Sequence, residues 1–317
     1  MMKTRSFIIL SGLLALLSCG PKKTSAPVVL TRDFPMAEIP MMITEPQERM
    51  VWLSQHFWDR FTATDSLYFC DSVTVNGVPA KKLEQQMGLF ASIVQEVSLK
   101  DGVKAMELFF DRLEAFQMAK PSGNLFPQTV ALASRYFYDP NSPVRDEDLY
   151  LPFVSRLATS AIVREDFRAG YAWDAQKCAL NRTGTPAADF TFIDTAGKRR
   201  TLYSIKAPHT LLIFGNPDCQ ACRELLEMME DYPEISARIA DGSLRVVDIY
   251  IDEEIDLWKE RMATYPKEWI NGYDPAHVIR EDLIYNVRAV PSLYLLDAKK
   301  TVLLKDATPE KVLSALL

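Results

Sequence analysis

Cys219 and Cys222 are separated only by Gln220 and Ala221. Two thiols at that spacing can close into a small disulfide and reopen, exchanging with the thiols and disulfides of other molecules. Zinc sites use the same spacing, so the pair alone leaves two chemistries open. Its placement narrows them. An apolar run from Thr210 to Gly215 precedes the pair, and Arg223 to Asp231 reads as helix. The thiols therefore fall at a strand-to-helix junction. The first turn of a helix presents unpaired N–H groups and a partial positive charge, and both favour a thiolate.

Other cysteines carry different messages. Lys3 and Arg5 form a short basic region, and Phe7 to Leu17 is an apolar stretch too short for an ordinary transmembrane helix. Leu16, Leu17, Ser18, Cys19 and Gly20 follow in an order that resembles a bacterial lipobox. That implies a signal peptide over 1–18, cleavage before Cys19, and lipid on its sulfur. An ordinary secretory signal with an incidental cysteine is the alternative. Acyl chains on Cys19 would hold the mature chain at a bilayer, with residues 19–30 as a lipidated, largely polar tether. The expected location is the cell envelope, facing the periplasm. Gly20 in place of an Asp tilts the choice from the inner to the outer membrane. Export makes disulfides permissible for Cys70 and Cys178. Equally, each fits a small buried hydrophobe, a reading favoured because no spacing argument links positions so far apart.

A length of 317 residues suits about two domains. The 48% apolar and 25% charged shares are those of a globular chain, and a net charge of −6 gives no footprint for nucleic acid. Two grammars divide the chain. Residues 31–178 read as a mostly helical domain of unknown role. Thr44 and Gln47 suggest a capping box around Pro46, ahead of Met50, Leu53, Phe57 and Phe61 at helical spacing. Leu83, Met87, Phe90, Val94 and Val97 make a second stripe. Asp101 is a candidate cap for a third helix bearing Val103, Met106, Phe109, Leu113 and Phe116. Segments 126–138 and 149–169 also lean helical, with Pro140 and Pro143 between them. The many aromatics suggest a packed core before a binding groove, because stripes at helical spacing normally bury themselves. His56 has no second ligand candidate nearby and reads as structural or exposed.

Asn181 to Pro186 is rich in turn formers, and beyond it strands alternate with helices over 179–317. Phe190–Ile193 and Arg200–Tyr203 suggest a hairpin across Gly197. Strand 210–215, the CxxC helix, strand 244–251, helix 253–263, strands 292–297 and 301–305 and helix 309–316 follow. Residues 265–274 read as an inserted loop, whose Trp269 and tyrosines either face substrate or cap the core. His209 precedes a strand and His277 has no partner nearby, so neither reads as a catalyst.

Three features together resemble the thioredoxin-like proteins of the TlpA/ResA branch. These are Gly184 to Phe190, the CxxC after an apolar strand, and Val287 to Asp297 around Pro291. The preceding helical part resembles the region that accompanies such domains in lipoproteins of Bacteroidetes. The resemblance implies an α/β fold class, with a C-terminal thioredoxin-like fold (a central mixed sheet flanked by helices) after a mostly α-helical domain. It further implies a cis Pro291 facing the thiols and a Val290 backbone free to pair with a substrate strand. Cys219 would then attack a substrate disulfide, and Cys222 would resolve the mixed disulfide. No cofactor and no metal are implied.

The chain departs from the pattern in three places. Asp218 stands where the family usually has Trp. Ile213 occupies the position at which thioredoxins often bury an acid, and Leu225 the position of a ResA-type Glu. No proton acceptor for Cys222 is identifiable on this pattern.

The first functional expectation is a membrane-anchored extracytoplasmic thiol–disulfide oxidoreductase acting on protein thiols and disulfides. The branch it resembles is mostly reducing, which tilts the direction to reductase over oxidase. Reduction would draw on a membrane electron donor of the DsbD or CcdA type. The alternative is a lipoprotein binding or scaffold protein whose thioredoxin-like half is vestigial; the missing Trp and acid favour it, and the intact CxxC with Pro291 disfavours it.

Overall fold

A computed structural model describes residues 30–66 and 68–317. Cys19 and the targeting segment lie outside those residues. The first part is helical: α1 (Pro46–His56), α2 (Ala80–Gln95), α3 (Leu99–Ala119), α4 (Leu125–Phe137), α5 (Glu147–Thr159) and α6 (Glu165–Cys178). A two-residue hairpin, β1 (Thr74–Val75) and β2 (Val78–Pro79), sits between α1 and α2. Its turn is Asn76–Gly77, both at positive φ, the backbone that an Asn-Gly hairpin turn requires.

The aromatics of this half pack on one another. Trp58 stacks on Phe109 at 4.6 Å between ring centroids, and Phe109 on Phe153 at 5.3 Å. Leu83, Met87, Phe90 and Val94 line the buried face of α2. Three local readings are corrected. No capping box forms at Thr44: α1 begins at Pro46, and Glu45 at its N-cap makes no side-chain cap. The cap of α3 is Ser98, whose Oγ accepts the Asp101 N–H at 3.2 Å. Asp101 instead accepts from the Ser98 hydroxyl at 2.6 Å. The segment 149–169 is two helices, because the chain breaks between Thr159 and Glu165 and turns back on itself.

The second part alternates strands and helices. Its elements are β3 (Thr191–Asp194), β4 (Arg199–Thr201), β5 (His209–Gly215), α7 (Gln220–Glu230), α8 (Pro233–Ala240), β6 (Leu244–Tyr250), α9 (Ile255–Arg261), β7 (Ile270–Tyr273), β8 (Ser292–Leu296), β9 (Val302–Leu304) and α10 (Pro309–Leu316). Seven strands form one mixed sheet in the order β4-β3-β7-β6-β5-β8-β9. β5, β6 and β7 run parallel, and β8 returns antiparallel beside β5. Alternation along β5 separates two cores. Leu211 and Ile213 face α7, α8 and α10, whereas Leu212 and Phe214 face Phe190, Phe192 and Tyr285.

One sheet member departs from the sequence reading. The stretch taken as an inserted loop contains β7, which lies between β3 and β6. Gly272 falls within this strand, and its lack of a side chain is needed for contact. A Cβ on Gly272 would come within 2.6 Å of the Phe192 ring and 2.9 Å of the Ile193 carbonyl. Close strand approach, not turn geometry, accounts for that glycine. Helix α8 was also not foreseen.

Candidate functional site

The site assembles where β5 ends and α7 begins. β5 is buried along nearly its whole length, which fixes the position of its last residue, Gly215. Cys219 is the N-cap of α7 in extended backbone (φ −75°, ψ 126°). Its Sγ accepts the Cys222 N–H at 3.3 Å, the role a Ser or Asp oxygen plays at other helix starts. Cys219 is half-buried and Cys222 buried, and both are free thiols. One sulfur is thus presented at a helix end, and the other lies one turn inside.

The segment before β8 closes the site from the opposite side. The Val290–Pro291 bond is cis. The Cys219 thiol donates to the Val290 carbonyl at 3.4 Å. The Val290 N–H makes no backbone hydrogen bond to another described residue. The sequence-predicted residues Cys219, Cys222, Val290 and Pro291 are therefore brought together, across a sequence separation of about seventy residues. The lipidation candidate Cys19 lies outside the described residues.

Asp218 is not a bare charge beside the thiols. The Arg261 guanidinium of α9 lies 3.1 Å from its carboxylate, both groups about half exposed. Pro217, Asp218, Arg223, Arg261 and Tyr265 line a cleft of about 430 Å³ along this flank. Tyr265 itself is buried, and Trp269 packs into the core against α7 and α8. Tyr265 and Trp269 thus line and cap the α7 face, and Tyr273 packs edge-on against Trp258 at 5.2 Å, which leaves no exposed aromatic loop in 265–274.

Burial pushes the Cys222 thiol well above its ordinary range, and the neighbouring Cys219 and the Asp248 carboxylate push it the same way, while a backbone N–H in the Asn216 region opposes them. A buried thiol of this kind stays protonated near neutrality and needs a base when it must attack. Asp248 is the acid that sequence reasoning missed. It lies on β6 in register with Ile213 of β5, so the buried carboxylate is one strand away from the position searched. Burial raises its pKa to about 7. The signal was present: a single Asp interrupts the apolar run from Val246 to Tyr250, and an acid in a central strand is seldom solvent-exposed.

The remaining thiols differ. Cys178 is buried at the end of α6, as expected of a small hydrophobe, whereas Cys70 is exposed, which corrects that reading for Cys70. The histidines are engaged locally. His56 stacks on Trp52 at 4.3 Å and bonds Asp59 at 2.6 Å. His209 Nδ1 lies 3.0 Å from the Arg238 guanidinium. Among the described residues no group of three or more His, Cys, Asp or Glu side chains is arranged to hold a metal ion.

Residues 17–171 match the family model described as DUF5106, a domain of unknown function. No curated protein is matched. Among solved structures, a thioredoxin-like protein from Bacteroides caccae is 34% identical, with a TM-score of 0.76, over 90% of this chain and 98% of that one. The C-terminal domain of an uncharacterized protein from Bacteroides fragilis is 48% identical over 43% of this chain and 97% of that one, with a TM-score of 0.42. A domain of a possible thiol-disulfide isomerase from Cytophaga hutchinsonii is 25% identical over 44% of this chain and 92% of that one, with a TM-score of 0.36. The Bacteroides caccae likeness spans both halves and nearly the whole of each chain, so this chain belongs to the thioredoxin-like proteins.

Proposed function

We propose that this protein is a thiol–disulfide oxidoreductase of the cell envelope, held to a membrane by lipid on Cys19, with Cys219 and Cys222 as its redox pair. The observation that carries the reading is the Cys219 sulfur: half-buried, at the N-cap of α7, and 3.4 Å from the Val290 carbonyl. A client disulfide approaching Cys219 meets the Val290 backbone at the same moment. An extended client segment can pair with that backbone while its sulfur is attacked. Cys219 takes the client sulfur, and Cys222 then displaces it. The clients are proteins with exposed thiols or disulfides. Reduction is the favoured direction, with electrons supplied by a membrane donor of the DsbD or CcdA type.

Insulin reduction in the presence of dithiothreitol tests the reading. The wild type should accelerate it, and Cys219→Ser should abolish the acceleration. Equal rates for the two would leave only a binding or scaffold role. Cys222→Ala should accumulate mixed disulfides on Cys219, which mass spectrometry of envelope extracts would identify. The equilibrium potential of the pair decides the direction. A value near about −270 mV marks a reductase, and one near about −120 mV an oxidase.

A further inference from the structure

Beneath the redox pair lies a polar arrangement that packing alone does not explain. Asp248 is only 7% exposed, and its Oδ1 is buried with no hydrogen-bond partner among the described residues. Its register neighbour on β7 is Asn271, 5% exposed, whose Oδ1 is likewise buried and unpartnered. The Asn271 Nδ2 donates to the Pro266 carbonyl at 3.2 Å, which fixes the side chain with its oxygen left over. Paired strands lie about 4.8 Å apart and register neighbours share a face, so two buried acceptor oxygens without donors fall on the same side of the sheet. A buried acceptor left unpaired costs about 1–3 kcal/mol. A proton on the Asp248 carboxyl supplies the missing donor.

The surroundings aim this carboxyl at the thiols. Val246 and Ile213 place the Asp248 side chain on the face of the sheet that α7 covers. Gly215, the last residue of β5, keeps the way open: a Cβ there would come within 2.7 Å of Asp248 Oδ1. Asp248 acts electrostatically on both Cys222 and Tyr265.

We propose that Asp248 is the proton acceptor and donor for Cys222, with Gly215 as the residue that gives it room. The assignment rests on the thiol–disulfide reading above. In the reducing direction Cys219 is already joined to the client sulfur. The Cys222 S–H proton passes to the Asp248 carboxylate, and the freed sulfur attacks Cys219 Sγ. The Cys219–Cys222 bond forms and the bond between Cys219 and the client breaks. The client sulfur leaves with the electron pair and takes a proton from solvent. Two electrons have moved from the protein to the client. In the oxidising direction Asp248 returns its proton to Cys222 as the protein disulfide opens.

The titratable groups facing Asp248 are Cys222 on α7 and Tyr265 on the segment before β7, with Arg223 beside Tyr265. From β5 and β7 it meets Gly215 and Asn271, which do not titrate. Burial, Asp248 and the two thiols push the Tyr265 phenol up, so it keeps its proton near neutrality.

Stopped-flow reaction of the reduced protein with Ellman's disulfide separates the steps. The first thionitrobenzoate released reports capture at Cys219, and the second reports displacement by Cys222. In Asp248→Asn, capture should stay within about two-fold of wild type. Displacement should slow by about 10²-fold or more at pH 7 and lose its inflection near neutrality, the scale of general acid–base effects of about 10²–10⁴. A purely structural role would leave that inflection in place. Gly215→Ala keeps the charge but displaces the carboxyl, and should slow displacement likewise; it also serves if Asp248→Asn does not fold. Displacement at the wild-type rate with the wild-type pH profile in both variants overturns the assignment alone. Absence of a second release from the wild type overturns the thiol–disulfide reading itself.

Discussion

Cys222 and Asp248 illustrate how much of the candidate site depends on residues without an exposed surface. The CxxC was legible because its spacing and its place after an apolar strand are local in sequence. Asp248 was not, because its meaning comes from its neighbour across the sheet, Ile213, thirty-five residues away in the chain. A search confined to one strand finds isoleucine and stops there. The cost of burying this acid makes a second prediction. Its pKa is raised to about 7 by burial, whereas an unfolded Asp titrates near 3.9. Below that unfolded value both states hold the proton and no penalty arises. As pH climbs from about 4 to 7 the unfolded chain releases its proton first, so the folded state loses ground by up to about 4 kcal/mol, at 1.36 kcal/mol per pKa unit. Asp248→Asn carries no such penalty. In urea denaturation under reducing conditions the variant should gain on wild type between pH 5 and pH 8. A difference that does not change with pH would sink the claim that the carboxyl is buried unpaired.

At the scale of elements, hydrophobic period decided what could be read. The buried strands β5, β6 and β8 have limits that match the sequence reading closely, and α2 buries Leu83, Met87, Phe90 and Val94 of its stripe but ends at Gln95, short of Val97. Elements defined by close contact did not announce themselves. β7 is a four-residue strand containing Asn271 and Gly272, and only its pairing with β3 and β6 makes it a strand. The same physics governs Gly102 in α3. Helix propensity alone says that alanine there should stabilise by up to about 1 kcal/mol. Packing says the reverse. A Cβ on Gly102 would meet Leu149 Cδ2 of α5 at 2.7 Å and the Val94 carbonyl of α2 at 2.9 Å. One of those contacts is with backbone, which cannot swing aside as a side-chain tip can. Gly102→Ala should therefore destabilise by about 1–3 kcal/mol, the usual range for overpacking. Thermal melting followed by circular dichroism checks the sign. A raised midpoint would mean that α3 and α5 can separate without loss. Ser98→Ala, which removes the α3 cap, should cost about 1 kcal/mol in the same assay.

Across the whole molecule, the helical and thioredoxin-like halves meet through buried charge, and this contact reaches the candidate site. Glu147 of α5 is almost fully buried and forms ion pairs with Arg288 at 2.9 Å and Lys305 at 2.9 Å. Asn286 also donates to its Oε1 at 2.6 Å. Arg288 pairs in turn with Asp306 at 2.9 Å, and the Ser292 hydroxyl donates to Asp306 at 2.7 Å. From the helical side, Arg145 donates to the Asp306 and Ala307 carbonyls at 3.0 Å and 3.1 Å. Arg288 and Ser292 flank the Val290–Pro291 segment in sequence. The helical half thus braces the segment that faces Cys219, which gives that half a mechanical connection to the thiols whatever else it binds. Such a cluster is poor evidence of net stabilisation, because desolvation offsets most of its attraction. Removing one member is a different matter. Glu147→Ala leaves Arg288 with Asp306 and Lys305 with only the Cys178 carbonyl, an excess of buried positive charge, at a cost of about 3–5 kcal/mol. The effect should appear as a lower urea midpoint. Amide exchange should also quicken at Ala307, whose N–H donates to the Leu293 carbonyl beside the braced Asp306, more than in the distant strand β4. An unchanged midpoint with unchanged exchange at Ala307 would show that the two halves touch without holding one another, and that the site's geometry is set by the thioredoxin-like half alone.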